Sequence, residues 1–149
     1  VDAIHMFAFV DKSPADQLKW SEAALDIALS SEQPEARRWE ASIRNNIGYA
    51  LHQLGRYDEA LSQFQQALVI RERGTNARAN HVARWMVAWT LRSLMRIDEA
   101  LQIQLALESA AEATGKPDPL VFAELAALYR MKGEPAQAQY YAQRQNAAK

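Results

Sequence analysis

The stretch from Ile43 to Leu68, IRNNIGYALHQLGRYDEALSQFQQAL, decides the fold of this protein. Its apolar residues recur at three- and four-residue steps, which places them on one face of a helix. Gly55 interrupts the pattern, as glycine does where a helix closes in the left-handed conformation. Asp58 and Glu59 then occupy a new first turn, where carboxylates complement the helix dipole. The stretch therefore predicts two helices joined by a short turn. The predicted buried faces comprise Ile43, Ile47, Ala50, Leu51 and Leu54, followed by Ala60, Leu61, Phe64, Ala67 and Leu68.

The same pattern returns further along the chain. Asp58-Glu59-Ala60-Leu61 recurs as Asp98-Glu99-Ala100-Leu101, a shift of 40 residues from position 58 to position 98. Weaker copies precede and follow these two, and self-similarity at one period is typical of stacked repeat units. We therefore predict an all-α protein of about four antiparallel helix pairs in a single domain. The helices are expected at residues 2–10 with 14–30, 34–54 with 57–72, 76–95 with 97–114, and 118–131 with 135–147, as repeats 1–30, 34–72, 76–114 and 118–147.

Composition excludes several classes of function. The chain has 149 residues, 49% of them hydrophobic and 23% charged, as expected for a folded globular protein. Its net charge of −1 creates no global field toward nucleic acid or an anionic membrane surface. It has no cysteine, which excludes disulfides and thiolate catalysis. No apolar run approaches the ~20 residues that span a bilayer, so we expect a cytoplasmic protein with no nucleic-acid or membrane partner.

The first residues are apolar and begin at Val1 without an initiator methionine. Met6, Phe7, Phe9 and Val10 would be exposed on a first helix with nothing before it. The expectation is that the chain is the C-terminal part of a longer protein with a further repeat upstream. The alternative is a homodimer in which a second copy covers this apolar helix.

The sequence contains no recognisable catalytic constellation. The histidines at positions 5, 52 and 81 lack the helical spacing of metal ligands. Neither a glycine-rich phosphate loop nor a nucleophile elbow around serine is present. The sequence thus predicts no enzyme activity, no metal and no cofactor.

Ile47-Gly48, Leu51, Ala60 and Phe64 stand at the separations of the tetratricopeptide repeat pattern, and the chain resembles that family. The resemblance implies a right-handed superhelical solenoid. It also implies a protein-interaction scaffold or adaptor, in which the first helices of the pairs line a concave groove that holds a peptide or helix of a partner protein.

Some positions depart from the family pattern. Arg44 and Arg84 replace its tryptophan, and Gln104 and Ala142 replace its second-helix aromatic residue in the later repeats. The period of 40 also exceeds the usual length of about 34 residues. These departures affect the expected curvature more than the expected fold.

The resemblance also implies which side chains face the groove. They are Asn45, Asn46, Tyr49 and His52 in the second repeat, Trp85, Trp89 and Arg92 in the third, and Ala123, Ala127 and Arg130 in the fourth. Trp85 and Trp89 lie four residues apart and so share one helix face. With Arg92 they suit a ligand that carries apolar side chains and an acidic group. The alternative is that the tryptophans pack between adjacent helices.

Some relatives clamp a partner's terminal carboxylate with asparagine and lysine. Asn45 or Asn46 could supply the amide here, but Arg92 or Arg130 would have to replace the lysine. The sequence therefore does not favour a carboxylate clamp.

The segment from Arg71 to Arg96 is basic. It holds Arg71, Arg73, Arg78, Arg84, Arg92 and Arg96 against the single acid Glu72. The segment could bind an acidic segment of a partner. It could equally pair with carboxylates of neighbouring helices, and the recurrence of arginine at positions 38, 78, 44 and 84 favours this structural role. The candidate carboxylates are Asp58, Glu59, Asp98, Glu99 and Glu108.

Two other functions remain open at this point. One is a ligand-sensing regulatory segment of a larger signalling protein, as the abrupt start at Val1 would suit. The other is an enzyme or an RNA-reading protein that uses the helical repeats as a framework. The near-neutral charge argues against RNA binding.

Overall fold

A computed structural model describes residues 13–33 and 38–148, and within these ranges the chain forms seven α-helices and no strand. The all-α prediction is confirmed. The helices are α1 (Pro14–Ser30), α2 (Glu40–Gln53), α3 (Tyr57–Glu72), α4 (Ala77–Ser93), α5 (Ile97–Ala113), α6 (Pro119–Met131) and α7 (Pro135–Ala148). The predicted helix over residues 2–10 and the predicted start at residue 34 lie outside the described residues.

Helix starts follow local chemistry. Proline takes the first position of α1, α6 and α7, where its missing N–H would have no partner in any case. The Asp118 carboxylate accepts a hydrogen bond from the Leu120 amide at 2.9 Å, which caps α6. α2 begins only at Glu40, because the preceding two residues form a turn.

Three short turns close the helix pairs in one conformation. Gly55 and Gly133 have φ of 77° and 78°, and Met95 takes the same place with φ of 61°. In each turn the next amide bonds to a carbonyl five residues back, as between Arg56 and Leu51 at 2.9 Å. Gly55 thus ends its helix as predicted. Leu54 was expected in the core but is 40% exposed, because it lies beyond the last residue of α2.

The chain divides into two compact units between Ala83 and Arg84, within α4. In the first unit, α1 packs on α2 and α2 packs on α3. Phe64 is fully buried, and its ring lies directly against the backbone of Gly48. This contact between the second helix of the pair and the first forms the centre of the unit.

In the second unit, α5 packs on α6 and α6 on α7. The Arg144 guanidinium on α7 reaches Glu108 and Glu112 of α5 at 2.9 and 2.6 Å and stacks 4.4 Å above the Phe122 ring. The Tyr141 hydroxyl also donates to Glu108, and burial together with this carboxylate raises the pKa of Tyr141. The last helix is thus fixed to the two helices that precede it, α5 and α6.

Candidate functional site

The two tryptophans of α4 form a stacked pair. The rings of Trp85 and Trp89 lie 5.7 Å apart with 19° between their planes, and both side chains are half-buried. The Trp85 indole Nε1 donates to the Leu120 carbonyl at the start of α6, at 3.3 Å. The pair therefore links two helices and still presents part of its surface to solvent.

Arg92 follows the tryptophans on the same face of α4. Its Nε and Nη2 donate to the two carboxylate oxygens of Glu124 on α6, at 2.8 and 3.0 Å. The Glu124 side chain is only 8% exposed, and a carboxylate buried to this extent requires a charge partner. The sequence pattern predicts that Arg92 binds an acidic ligand group and gives no indication of Glu124. The structure pairs the two within the second unit.

α6 contributes a face made of Ala123, Ala127 and Arg130, at positions separated by one and two helical turns. Both alanines are half-buried, whereas Arg130 is exposed and its side chain makes no ion pair within residues 13–33 and 38–148. Two large apolar side chains flank the helix, with Leu120 57% and Met131 41% exposed. Arg130 is therefore the cation that this part of the second unit offers to a ligand.

The other four predicted residues lie on α2, in the first unit. Tyr49 is 45% exposed, and the half-buried His52 ring contacts Tyr57 edge-on at 4.8 Å. Asn46 is half-buried. The Oδ1 atom of Asn45 is buried and accepts no hydrogen bond from the described residues, so this oxygen does not lie at the surface.

Two of the predicted carboxylate partners are bound by arginines at the turns. Arg56 binds Glu59 through two hydrogen bonds of 2.7 and 2.8 Å, and Arg96 binds Glu99 in the same arrangement one repeat later. These hydrogen bonds lower the pKa of both carboxyl groups. Arg96 thus has the structural role predicted for the basic segment, and Arg56 has the same role one repeat earlier.

Two further cations, Lys132 and Arg44, also form ion pairs with carboxylates. Lys132 pairs with Asp98 at 2.9 Å. Arg44, in the place of the family's tryptophan, binds Glu40 at 2.8 Å and donates to Gln63 of α3 at 3.1 Å. Arg44 therefore has the structural role that its recurrence suggested, joining the two helices of its pair.

The described residues show neither a metal site nor a membrane-spanning helix. Residues 13–33 and 38–148 contain no group of histidine, aspartate and glutamate side chains that could hold a metal ion. No helix in the same ranges is long and apolar enough to cross a membrane.

Helix pairs repeated at a shift of about 40 residues, with aromatic residues on their first helices, are typical of a helical-repeat protein. Residues 41–82, which contain nearly all of α2, all of α3 and the start of α4, match the family model of the tetratricopeptide repeat. This match supports the predicted resemblance to tetratricopeptide repeat proteins. Repeats of this family generally mediate protein–protein interaction and generally form non-enzymatic scaffolds. A comparison with curated proteins finds no match.

Proposed function

We propose that the chain is a scaffold or adaptor whose second unit binds a peptide or helix of a partner protein along the faces of α4 and α6. The stacked pair of Trp85 and Trp89 carries this proposal, because it combines large apolar area with partial exposure. Aromatic and arginine side chains tend to dominate the binding free energy of protein interfaces. Partly buried tryptophans are therefore suited to anchor an apolar side chain of the partner.

The charges favour one class of ligand. Arg92 is neutralised by Glu124, whereas Arg130 is exposed and without an ion pair in the described residues. Arg130 follows Ala123 by seven residues on α6, or about 10 Å along the helix axis. The expected ligand carries an apolar side chain for the tryptophans and an acidic group for Arg130.

The site is also held in place before a ligand arrives. The hydrogen bond from Trp85 to Leu120 and the double hydrogen bond from Arg92 to Glu124 both join α4 to α6. Side chains that are already ordered lose less conformational entropy on binding. Arg92 therefore acts as a positioning residue for the face, and a test should not remove it, because Glu124 would be left buried without a partner.

The proposal is tested by selecting peptides from a phage-displayed random library on the intact chain. The affinity of a labelled selected peptide is then measured by fluorescence anisotropy for Trp89→Ala and Arg130→Gln. We expect Trp89→Ala to weaken binding by about tenfold or more and Arg130→Gln by about threefold to tenfold. The control is Trp20→Ala on α1, which changes the same residue type at a side chain that is 37% exposed.

Circular dichroism shows whether each variant is folded. Selected peptides that bind Trp89→Ala and the normal chain equally would contradict this site. Tyr49→Ala provides the test of the face of α2, since Tyr49 is exposed on the first unit. If Tyr49→Ala alone weakens binding, the partner site lies on α2 and the assignment to the second unit is wrong.

A further inference from the structure

Four arginines lie at one edge of the first unit, and the structure shows no ion pair for them within residues 13–33 and 38–148. They are Arg38, Arg71, Arg73 and Arg78, here called the basic edge. Arg71, at the end of α3, donates from Nη2 to the Ser42 hydroxyl in the first turn of α2, at 3.1 Å. Because Arg38 precedes α2 by two residues, this contact brings the start of α2 and the end of α3 to the same edge.

The other two arginines bracket the loop that joins α3 to α4. This loop is held by a hydrogen bond from the Gly74 amide to the Arg71 carbonyl, at 3.0 Å. The Asn76 side chain accepts from the Ala79 amide at 3.0 Å and caps α4. Since α4 starts where α3 ends, Arg73 and Arg78 belong to the edge that already carries the other two.

The carboxylates that the repeat pattern suggests as partners do not pair with these four arginines. Glu59 pairs with Arg56 at the opposite end of α3, about 20 Å away along the helix axis. The later candidates Glu99, Asp98 and Glu108 pair with Arg96, Lys132 and Arg144. The positive charge of the basic edge is therefore not balanced by the acids of the repeat pattern.

The basic edge is also accessible. Arg38, Arg73 and Arg78 are exposed and Arg71 is half-buried. The Arg38 guanidinium lies 5.9 Å from the centre of the Trp39 ring, which leaves its N–H groups available for an anion. Glu40 beside it is bound by Arg44, and among the described residues the other acids close to these arginines in sequence are Glu32 and Glu72. Clustered guanidinium groups favour carboxylate ligands, with which they form paired hydrogen bonds.

We propose that the basic edge binds a short acidic segment of a protein partner, rich in aspartate or glutamate. The net charge of −1 and the confinement of the arginines to one edge favour a short segment over an extended phosphate backbone. This site differs from the face of α4 and α6 and does not depend on it. Loss of one should leave the other intact.

The test uses the intact chain and a fluorescein-labelled oligoglutamate peptide, with binding measured by fluorescence anisotropy at low salt. Arg73→Gln combined with Arg78→Gln should weaken binding about tenfold, since each exposed charge pair contributes a small amount. The matched control is Lys19→Gln with Lys116→Gln, which removes the same charge from exposed positions elsewhere. This control should change the affinity by less than about twofold.

Each other outcome overturns the proposal. An equal loss in both double variants would mean that the peptide senses only net charge. Full affinity in the arginine variant would place the contact elsewhere. In a competition experiment, a single-stranded oligonucleotide and unlabelled oligoglutamate are compared at equal concentrations of negative charge. If the oligonucleotide displaces the labelled peptide more effectively, the edge prefers nucleic acid.

Discussion

The helix pair α2–α3 and the pair α4–α5 share one backbone pattern but fill its centre differently. In the first pair, Phe64 is fully buried against Gly48, and a Cβ on that glycine would lie 2.7 Å from the phenyl ring. At the same register 40 residues later stand Ala88 and Gln104. In this second pair, Ala88 on α4 adds a Cβ where α2 has glycine, and Gln104 on α5 lacks the aromatic ring that Phe64 supplies on α3. The repeat thus preserves a fit between two positions rather than the identity of either.

The centre of the pair α4–α5 is expected to be less stable than that of α2–α3. Gln104 is fully buried, and neither its Nε2 nor its Oε1 finds a hydrogen-bond partner in the described residues. A buried polar group without a partner costs about 1–3 kcal/mol. Its turn also departs from the pattern, because Met95 adopts the left-handed conformation that Gly55 takes in the first pair. We infer that α4–α5 is locally less stable than α2–α3.

The largest expected effect is the loss of the phenyl ring. Phe64→Ala should lower the free energy of unfolding by about 3–5 kcal/mol, because it removes a fully buried aromatic side chain. Gln104→Ala at the equivalent position should cost less, since it also removes a buried amide without partners. Urea titrations followed by circular dichroism measure both. Equal losses would mean that the two centres are equally well packed.

A smaller effect is expected from closing the space above Gly48. Gly48→Ala places its Cβ 2.7–2.9 Å from three atoms of the Phe64 ring, and overpacking of this kind costs about 1–3 kcal/mol. Gly74→Ala is the control, because its Cβ would meet only the Arg71 carbonyl oxygen at 3.5 Å. The same urea titration compares them. If both substitutions are neutral, the ring can move and the fit with Gly48 is not required.

Gln104→Met tests the weaker centre in the opposite direction. Methionine has similar length and no group that needs a hydrogen bond, so the variant should gain about 1–2 kcal/mol in the free energy of unfolding. Thermal and urea unfolding would both report the gain. A loss of stability would instead show that the Gln104 amide is satisfied in solution, for example by a buried water molecule.

Local chemistry explains how much of the fold the sequence predicts. The bounds predicted for α3 agree with the structure, and those of α4 to α7 agree within two residues. Proline at first positions and glycine at turns mark these ends through interactions of a few neighbouring residues. Met95 shows the limit, because the repeat imposes a turn conformation that its own residue does not indicate.

Candidate site residues are harder to interpret because their partners are distant in sequence. Arg38 and Arg44 both recur with the repeat, yet Arg44 forms an ion pair with Glu40, whereas Arg38 makes none in the described residues. The pairing of Arg92 with Glu124 crosses 32 positions and leaves no periodic signal. Periodicity identifies the faces of helices, but the contacts between them determine which charges remain for a partner.

The turns differ by a smaller free energy. Met95→Gly should stabilise the chain by up to about 1 kcal/mol, because the left-handed conformation strains a residue with a Cβ and Met95 is 67% exposed. Gly55→Ala should have the opposite effect of similar size, since its Cβ would meet no atom within 4 Å and only the strain remains. Urea titration measures the two changes. Two effects of the same sign would show that packing, not φ, controls these turns.

The smallest expected effect concerns an ion pair that occurs in both helix pairs. Arg56 binds Glu59 and Arg96 binds Glu99 after equivalent turns, and each arginine lowers the pKa of its carboxyl group below the ordinary 4.5. A lowered folded-state pKa means that the stabilisation is present above the ordinary value and is lost as the pH falls through the folded-state value. Both pairs are about half exposed, so solvent weakens them. Carboxyl titration by NMR should give two similar, lowered pKa values, and Arg56→Gln should return only that of Glu59 to its ordinary value. If Glu99 alone titrates at a lowered pKa, the two turns differ in their ion pair as well as in the residue with positive φ, which is Gly55 in one and Met95 in the other.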